Sequence, residues 1–253
     1  MNKISVVIIT LNEEKNILRC IKSIADIADE IIVLDSFSTD ATKQICQQNG
    51  VKFYQHAFDG HIQQKNRALD LASNNWVLAL DADEAPDNIL IEEINNVMNE
   101  PEADAYYFNR LTNYLGKWIR HSGWYPDQKL RLFKKDMGKW TGINPHDKIE
   151  MQKNATIKYI KGDLLHYSYY SIEQHLAQIN SFTTIGANEA FKKNKKSNWF
   201  IASIKAIWKF IRDYFFKLGF LDGYYGFIIC SLSAWATFSK YIKIVELQKN
   251  KTK

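Results

Sequence analysis

The sequence predicts an α/β fold: a mostly parallel sheet flanked by helices, with an amphipathic helical appendage at the C-terminal end. Three observations predict it. Short β-branched runs alternate with helix-periodic stretches over the first hundred or so residues, and such alternation builds a sheet covered on both faces. Each strand-like run is unbroken rather than alternating, as strands buried on both faces are. From residue 191 the composition shifts to Lys, Trp and Phe in a helical repeat. At 253 residues and 46% apolar, the chain suits one large domain, or a domain with an appendage, and its composition argues against global disorder.

"ISVVII", from Ile4 to Ile9, is the first strand. A helix follows with Asn12 expected as its N-cap, Glu13 and Glu14 in its first turn, and Ile17, Ile21 and Ile24 at helical spacing. "EIIVLD" is a second buried strand ending at Asp35. The next helix is expected to be capped by Asp40 and stopped by Gly50. "VKFYQ" is a third strand, "HIQQKNRALDLA" a helix and "WVLAL" a fourth strand. Pro86 is expected at the start of a helix reaching about Asn99. Beyond residue 100, "ADAYYFNRL" and "QKLRLFKK" read as strands around the Trp- and Tyr-rich "GKWIRHSGWYPD".

In open α/β sheets, ligands bind outside the carboxyl ends of the strands. That rule selects Thr10–Glu14, Asp35–Asp40 and Asp81–Glu84. The last lies within "LALDADEAPDN", where an apolar run ends in Asp81, Asp83 and Glu84. Carboxylates this close raise each other's pKa unless a cation holds them. No GxGxxG follows the first strand and no GxxxxGK[ST] occurs, so dinucleotide and P-loop cradles are excluded. The glycine-free first loop also fits nucleotidyltransferases poorly. A phosphatase with an aspartyl nucleophile would carry its aspartates after the first strand. A nucleotide diphosphate held without glycines needs a metal, and paired aspartates offer hard oxygen to Mg²⁺ or Mn²⁺.

The net charge of +5 and pI near 8.9 suit an anionic partner. Cys20, Cys46 and Cys230 are scattered with no CxxC spacing. They read as reduced thiols of a cytosolic protein rather than a disulfide framework or zinc ribbon. The N-terminal segment does not read as a signal peptide.

"SVVIITLNEEKNILRCIKSI", "IIVLDSFSTDAT" and "LALDADE" resemble, in order and spacing, the successive motifs of family 2 glycosyltransferases of GT-A fold. "GWYPDQKLRLFKK", "INPHDKIE" and "FFKLGFLDGYYG" resemble a narrower group, the bacterial enzymes of lipopolysaccharide core assembly, including heptose-region glucosyltransferases. The resemblance implies that Thr10, Asn12 and Glu13 line the nucleotide pocket and that Asp35 contacts uracil or ribose. A helix cap is the rival role for Asn12, and a solvated strand end that for Asp35. It implies Asp83 as a metal ligand, with Asp81 on the ribose or a metal-bound water. Lys65 and Arg67 would approach the donor phosphates, against an exposed helix face as the plain alternative. His146 would complete the metal shell, against a merely packed histidine as the plain alternative, and Asp147 stands where related enzymes often have Glu.

An inverting transferase needs a carboxylate base for the acceptor hydroxyl. Asp127 and Asp147 are the candidates, with Asp127 ahead because it lies in the aromatic stretch. The expected partners are a nucleotide-sugar donor, such as a UDP-hexose, a lipid-linked glycan acceptor and an anionic membrane surface, with no nucleic acid. The rival readings are a polyprenyl-phosphate glycosyltransferase and a non-catalytic sugar-nucleotide or membrane-binding protein. The expected division is 1–190 for the catalytic domain, with nucleotide-sugar and acceptor halves meeting near residue 100, and 191–253 for the tail. In that tail Phe200, Ile204, Ile207, Trp208, Ile211, Phe215 and Leu218 are expected on one helical face and Lys205, Lys209, Arg212, Asp213 and Lys217 on the other. The uncharged run from 223 to 239 reads as embedded or packed rather than spanning. Together these place the enzyme in the cytoplasm, peripheral on the inner face of the bacterial inner membrane.

Overall fold

A computed structural model describes residues 2–143 and 146–251. They fall into two compact units, Met1–Arg110 with Asp127–Tyr167, and Leu111–Pro126 with Ser168–Lys253.

The first unit opens with β1 (Ile4–Thr10), α1 (Ile17–Ser23), β2 (Glu30–Asp35), α2 (Thr42–Gln48), β3 (Lys52–Gln55), α3 (His61–Asp70) and β4 (Trp76–Asp81). Short β5 (Glu84–Pro86), α4 (Asn88–Asn99) and β6 (Ala105–Tyr114) follow. After β7 (Lys117–Ile119) come β8 (Asp127–Lys134), the hairpin strands β9 (Gly138–Ile143) and β10 (His146–Met151), and β11 (Ile157–Tyr169). The sheet order is β3-β2-β1-β4-β8-β6-β11-β5, with β7 on β6. The first four strands run parallel, and β8 joins β4 antiparallel. The chain winds outward from β1 to β3, then crosses back to lay β4 on the other side of β1. The point where the order reverses is therefore between β1 and β4. In-register pairing puts Thr10 opposite Asp35 and Ile9 opposite Asp81 there.

Period-two alternation decides the layers. Ile4, Val6 and Ile8 of β1 join Ile17, Ile21 and Ile24 around α1, with Leu90 and Ile94 of α4. Val7 points to the other face, with Ile32, Leu34, Ala68 and Leu69. Each such aliphatic side chain contributes about 1.5–3 kcal/mol when fully buried.

Two local expectations are overturned. Asn12 is not a helix cap: it sits at φ 56, and α1 begins five residues on, after Asn16. Pro86 does not open α4 but ends β5, and Asp87 caps that helix by accepting the Leu90 N–H at 2.8 Å. Asp40 stands one residue before the N-cap of α2, which is Ala41, yet it still serves the first turn: its Oδ1 accepts from the Thr42 N–H at 3.0 Å and the Thr42 hydroxyl at 2.6 Å. Gly50 at φ 69 follows the helix end, where the left-handed conformation favours glycine.

The second unit contains α5 (Ile172–Lys192), α6 (Trp199–Ile211) and α7 (Gly223–Lys251). Ser171 and Asn198 cap α5 and α6 through the Gln174 and Ile201 N–H groups. The α-helical repeat expected to reach Leu218 stops at Ile211: Arg212–Phe216 form a π-helical turn and Leu218 has φ 54. Gly219 and Gly226 permit a close crossing there, since a Cβ on Gly226 would lie 1.9 Å from the Gly219 carbonyl oxygen. Asp222 ties the aromatic loop to this turn, accepting the Arg120 and His121 N–H groups at 3.2 and 2.9 Å. Gly219–Asn250 is long and apolar enough to cross a membrane by length and composition.

Candidate active site

The carboxyl ends of β1 and β2 build a polar rim. Asp35 is fully buried rather than solvated. It accepts hydrogen bonds from the Thr10 hydroxyl at 3.0 Å, the Ser38 N–H at 2.9 Å and Gln55 at 3.2 Å, and from the Ser38 hydroxyl. Asn12 uses its left-handed backbone to reach across, accepting from the Thr39 N–H at 2.9 Å and donating its own N–H to Ser38 at 2.8 Å. The loops after β1 and β2 are thus fastened to each other. The Glu13 carboxylate accepts from Asn16 at 2.9 Å.

Next to that rim, the end of β4 carries a chain of charges. Lys65 is 8% exposed. Its ammonium lies 2.8 Å from both Asp81 and Asp147, and 4.3 Å from the Trp140 ring centre. This is not the exposed helix face that helical spacing alone allows. Arg67 is half-buried on the same helix, paired with Asp59 and bonded to Gln64. The other Asp81 oxygen accepts from Arg131 at 2.8 Å. Arg131 also donates to Glu84 at 2.9 Å. Glu84 closes the loop by accepting the Asp81 N–H at 3.0 Å, and it meets Arg110 at 3.3 Å. Arg110 reaches on to Asp127 at 2.8 Å, which Lys129 holds from the other side at 2.9 Å.

Burial alone would raise the Asp81 carboxyl, but Lys65 and Arg131 outweigh it and hold it well below the usual carboxylate range. Burial likewise opposes the Arg131 charge, and Glu84 and Asp81 more than offset it. Asp127 is lowered too, with Arg110 prevailing over burial. A cavity of about 450 Å³ opens beside these groups, lined by Lys65, Asp81, Arg110, Arg131, Trp140 and Asp147 among others.

Asp83 differs from its neighbours. Among the described residues it has no Lys or Arg partner; its Oδ2 lies 3.1 Å from Nε2 of His166. Burial, and after it the nearby Asp83, Asp40 and Asp81 carboxylates, raise the Glu13 carboxyl. One carboxylate and one imidazole fit a hard divalent ion that takes its remaining ligands from phosphates and water. Among the described residues no three His, Cys, Asp or Glu side chains form a metal cluster. The His146 side chain lies outside the described residues, and both Asp81 oxygens are already held by cations.

Sequence reasoning missed His166, Arg131 and Arg110. For Arg131 a signal existed: a basic residue inside the apolar "KLRLF" has to meet a buried acid. For His166 none did. It reaches Asp83 only because β11 pairs with β5, placing His166 opposite Glu84.

The model of the family described as "Glycosyl transferase family 2" matches residues 5–157. An uncharacterised glycosyltransferase of Rickettsia typhi is 33% identical over 98% of this chain and 88% of its own length. The lipopolysaccharide core biosynthesis glycosyltransferase LpsC of Rhizobium meliloti is 26% identical over 96% of this chain and 92% of its own. Among solved structures, glucosyl-3-phosphoglycerate synthase of Mycobacterium tuberculosis, crystallised with Mn²⁺, UDP and glucosyl-3-phosphoglycerate, overlays 44% of each chain with a TM-score of 0.38 at 26% identity. That overlay is partial, and the GT-A fold is read from the strand order and the family match. The chain belongs to glycosyl transferase family 2.

Proposed function

We propose that this chain is an inverting, metal-dependent hexosyltransferase that moves a sugar from a UDP-sugar to a hydroxyl of a membrane-linked glycan, such as lipopolysaccharide core. The observation that carries the reading is the contrast between Asp81, clamped by Lys65 and Arg131, and Asp83, which is left facing His166. Asp83 and His166 would hold Mn²⁺ or Mg²⁺, which would supply Lewis-acid stabilisation to the departing diphosphate. Thr10, Asn12, Glu13 and Asp35 form the nucleoside side of the pocket. Asp81 orients the donor from a position fixed by its two cations, and Lys65 offers its ammonium to donor phosphate. The likeness to LpsC supports the acceptor class.

Asp127 comes ahead of Asp147 as the base. Its side chain is 32% exposed against 14% for Asp147; Asp147 itself lines the cavity, and beside Asp127 its neighbours Gln128 and Lys129 do. In-line holding of acceptor and donor in that cavity supplies the remaining rate gain. One observation favours a second reading: Lys129, Lys148 and Arg110 also line the cavity, and a polyprenyl phosphate acceptor would suit them. Such an acceptor is already ionised and needs no strong base.

Residues 191–253 act as the membrane-associating tail of the catalytic domain, 1–190. They carry thirteen basic against three acidic residues. Trp199 and Phe216 are 71% exposed, and Ile204, Ile207 and Trp208 are exposed with them. An apolar face beside many cations suits an anionic bilayer surface and a cytoplasmic, peripheral location.

The deciding experiment is Asp83→Ala, assayed by UDP binding with and without Mn²⁺ and by thermal unfolding. Loss of Mn²⁺-dependent binding with an intact fold is expected; normal turnover would overturn the assignment.

A further inference from the structure

Within the second unit, α6 and α7 pack along each other but do not close. A groove of about 500 Å³ runs between them, lined by Ile207, Phe210 and Ile211 from α6 and by Ala234, Trp235 and Phe238 from α7. Ala206 and Ser231 also line it, so its surface is almost wholly apolar. Its volume lies in the range of about 300–1,000 Å³ typical of ligand pockets. Ile207 and Trp235 also face solvent, at 60% and 54% exposure. An open hydrocarbon channel in contact with water is costly unless something covers it.

We propose that this groove seats one acyl chain of an anionic phospholipid drawn from the membrane. Three features select that occupant. The lining offers almost no hydrogen-bonding group and no strand edge, so an extended peptide would find no ladder to join. The surrounding segment carries thirteen basic and three acidic residues, which attracts an anionic headgroup and repels a second copy of the same tail. The groove is also continuous with the exposed Ile207 of the membrane-facing side of α6, so a chain can enter from the bilayer without crossing water. The inference rests on the membrane reading of the tail and adds to it a discrete lipid site, where general adsorption would need none.

The test uses the full chain and two probes. Monomeric lysophosphatidylglycerol brominated on its acyl chain, kept below its micelle concentration, reports the groove by quenching tryptophan. Sedimentation with phosphatidylglycerol vesicles reports the membrane. Quenching should be saturable at a single lipid per chain, and Trp235→Phe should remove most of it. Filling the groove with Ala206→Leu and Ala234→Leu should weaken the lipid by about tenfold or more, the effect of losing two buried methylenes. The same variant should still sediment with vesicles, because its outer face is intact. Non-saturable quenching, or quenching indifferent to both substitutions, overturns the groove. So does a chain that is a stable dimer by sedimentation velocity and stays one when lipid is added. Saturable quenching by a protein that ignores vesicles would leave the groove standing and sink the membrane reading.

Discussion

Replacing Arg131 with Met tests whether the charge chain at the end of β4 is what fixes Asp81. The guanidinium is 5% exposed and donates to Asp81 and Glu84 at 2.8 and 2.9 Å. At an effective dielectric near 20, a pair at this range is worth about 6 kcal/mol, so two lost pairs represent about 12 kcal/mol of gross attraction. Much of that is offset because the burial cost of the guanidinium disappears as well. What remains is Glu84, fully buried, with Arg110 at 3.3 Å as its one Lys or Arg partner among the described residues. Removing one partner of a buried pair typically costs about 3–5 kcal/mol. For a chain of 253 residues that amounts to a fall of about 6–20 °C in unfolding temperature.

The assay is urea and thermal unfolding of the wild type, Arg131→Met, Glu84→Gln and the double variant. Glu84→Gln should recover part of the loss in the Met background, because it removes the stranded charge. The coupling should be about 1–3 kcal/mol. Donor binding should fall alongside, because Asp81 loses one of the two cations it contacts and keeps Lys65. If Arg131→Met lies within about 1 kcal/mol of wild type, or the two changes simply add, then the chain is a surface-like network and Asp81 is positioned by something else.

His166→Gln should lower Mn²⁺-dependent UDP affinity while leaving metal-free unfolding unchanged; titration calorimetry with and without Mn²⁺ checks this, and unaltered metal dependence would remove His166 from the site. Asp127→Asn should reduce turnover by about 10²–10⁴ with donor affinity kept; activity in Asp127→Asn but not in Asp147→Asn reverses their order, and inactivity of both tells against the polyprenyl phosphate acceptor. His175 is buried against the Tyr114 hydroxyl at 3.0 Å, and burial lowers its pKa from 6.5 to about 4. The unfolded chain therefore takes up a proton that the folded chain refuses: stability is complete above pH 6.5 and falls by about 3 kcal/mol toward pH 4. His175→Gln should flatten that window in urea titrations across pH. Vesicle binding should weaken partly in high salt, which screens the lysines, and further when Ile204, Trp208 and Ile211 are replaced by Ser.

The residues that were legible in the sequence share one physical property: their role is set by their own strand or turn. "ISVVII" and "EIIVLD" announce buried parallel strands because both faces are covered and no alternation is left to blur them. Once those strands are parallel, the ends at Thr10, Asp35 and Asp81 must come together by register, so the rim follows from the strand pattern. Asp40 is local only in part: it accepts from Thr42 two residues on, but also from the Glu14 N–H at 3.1 Å in the loop after β1. What escaped depends on partners from remote segments. Lys65 looks like any cation on a helix until Asp147, arriving on a hairpin, closes on it from the other side. Asn12 has the chemistry of a cap, but with a left-handed backbone it spends its hydrogen bonds on the Ser38–Thr39 loop instead. Arg131 sits between the two kinds. An arginine in an apolar strand states that an acid must be near, but not that the acid is Glu84, third of the acidic cluster. That pairing gives Glu84 a role distinct from the two aspartates. It neutralises the guanidinium that holds Asp81, and it thereby leaves Asp83 as the carboxylate of the three that faces His166 instead of an arginine.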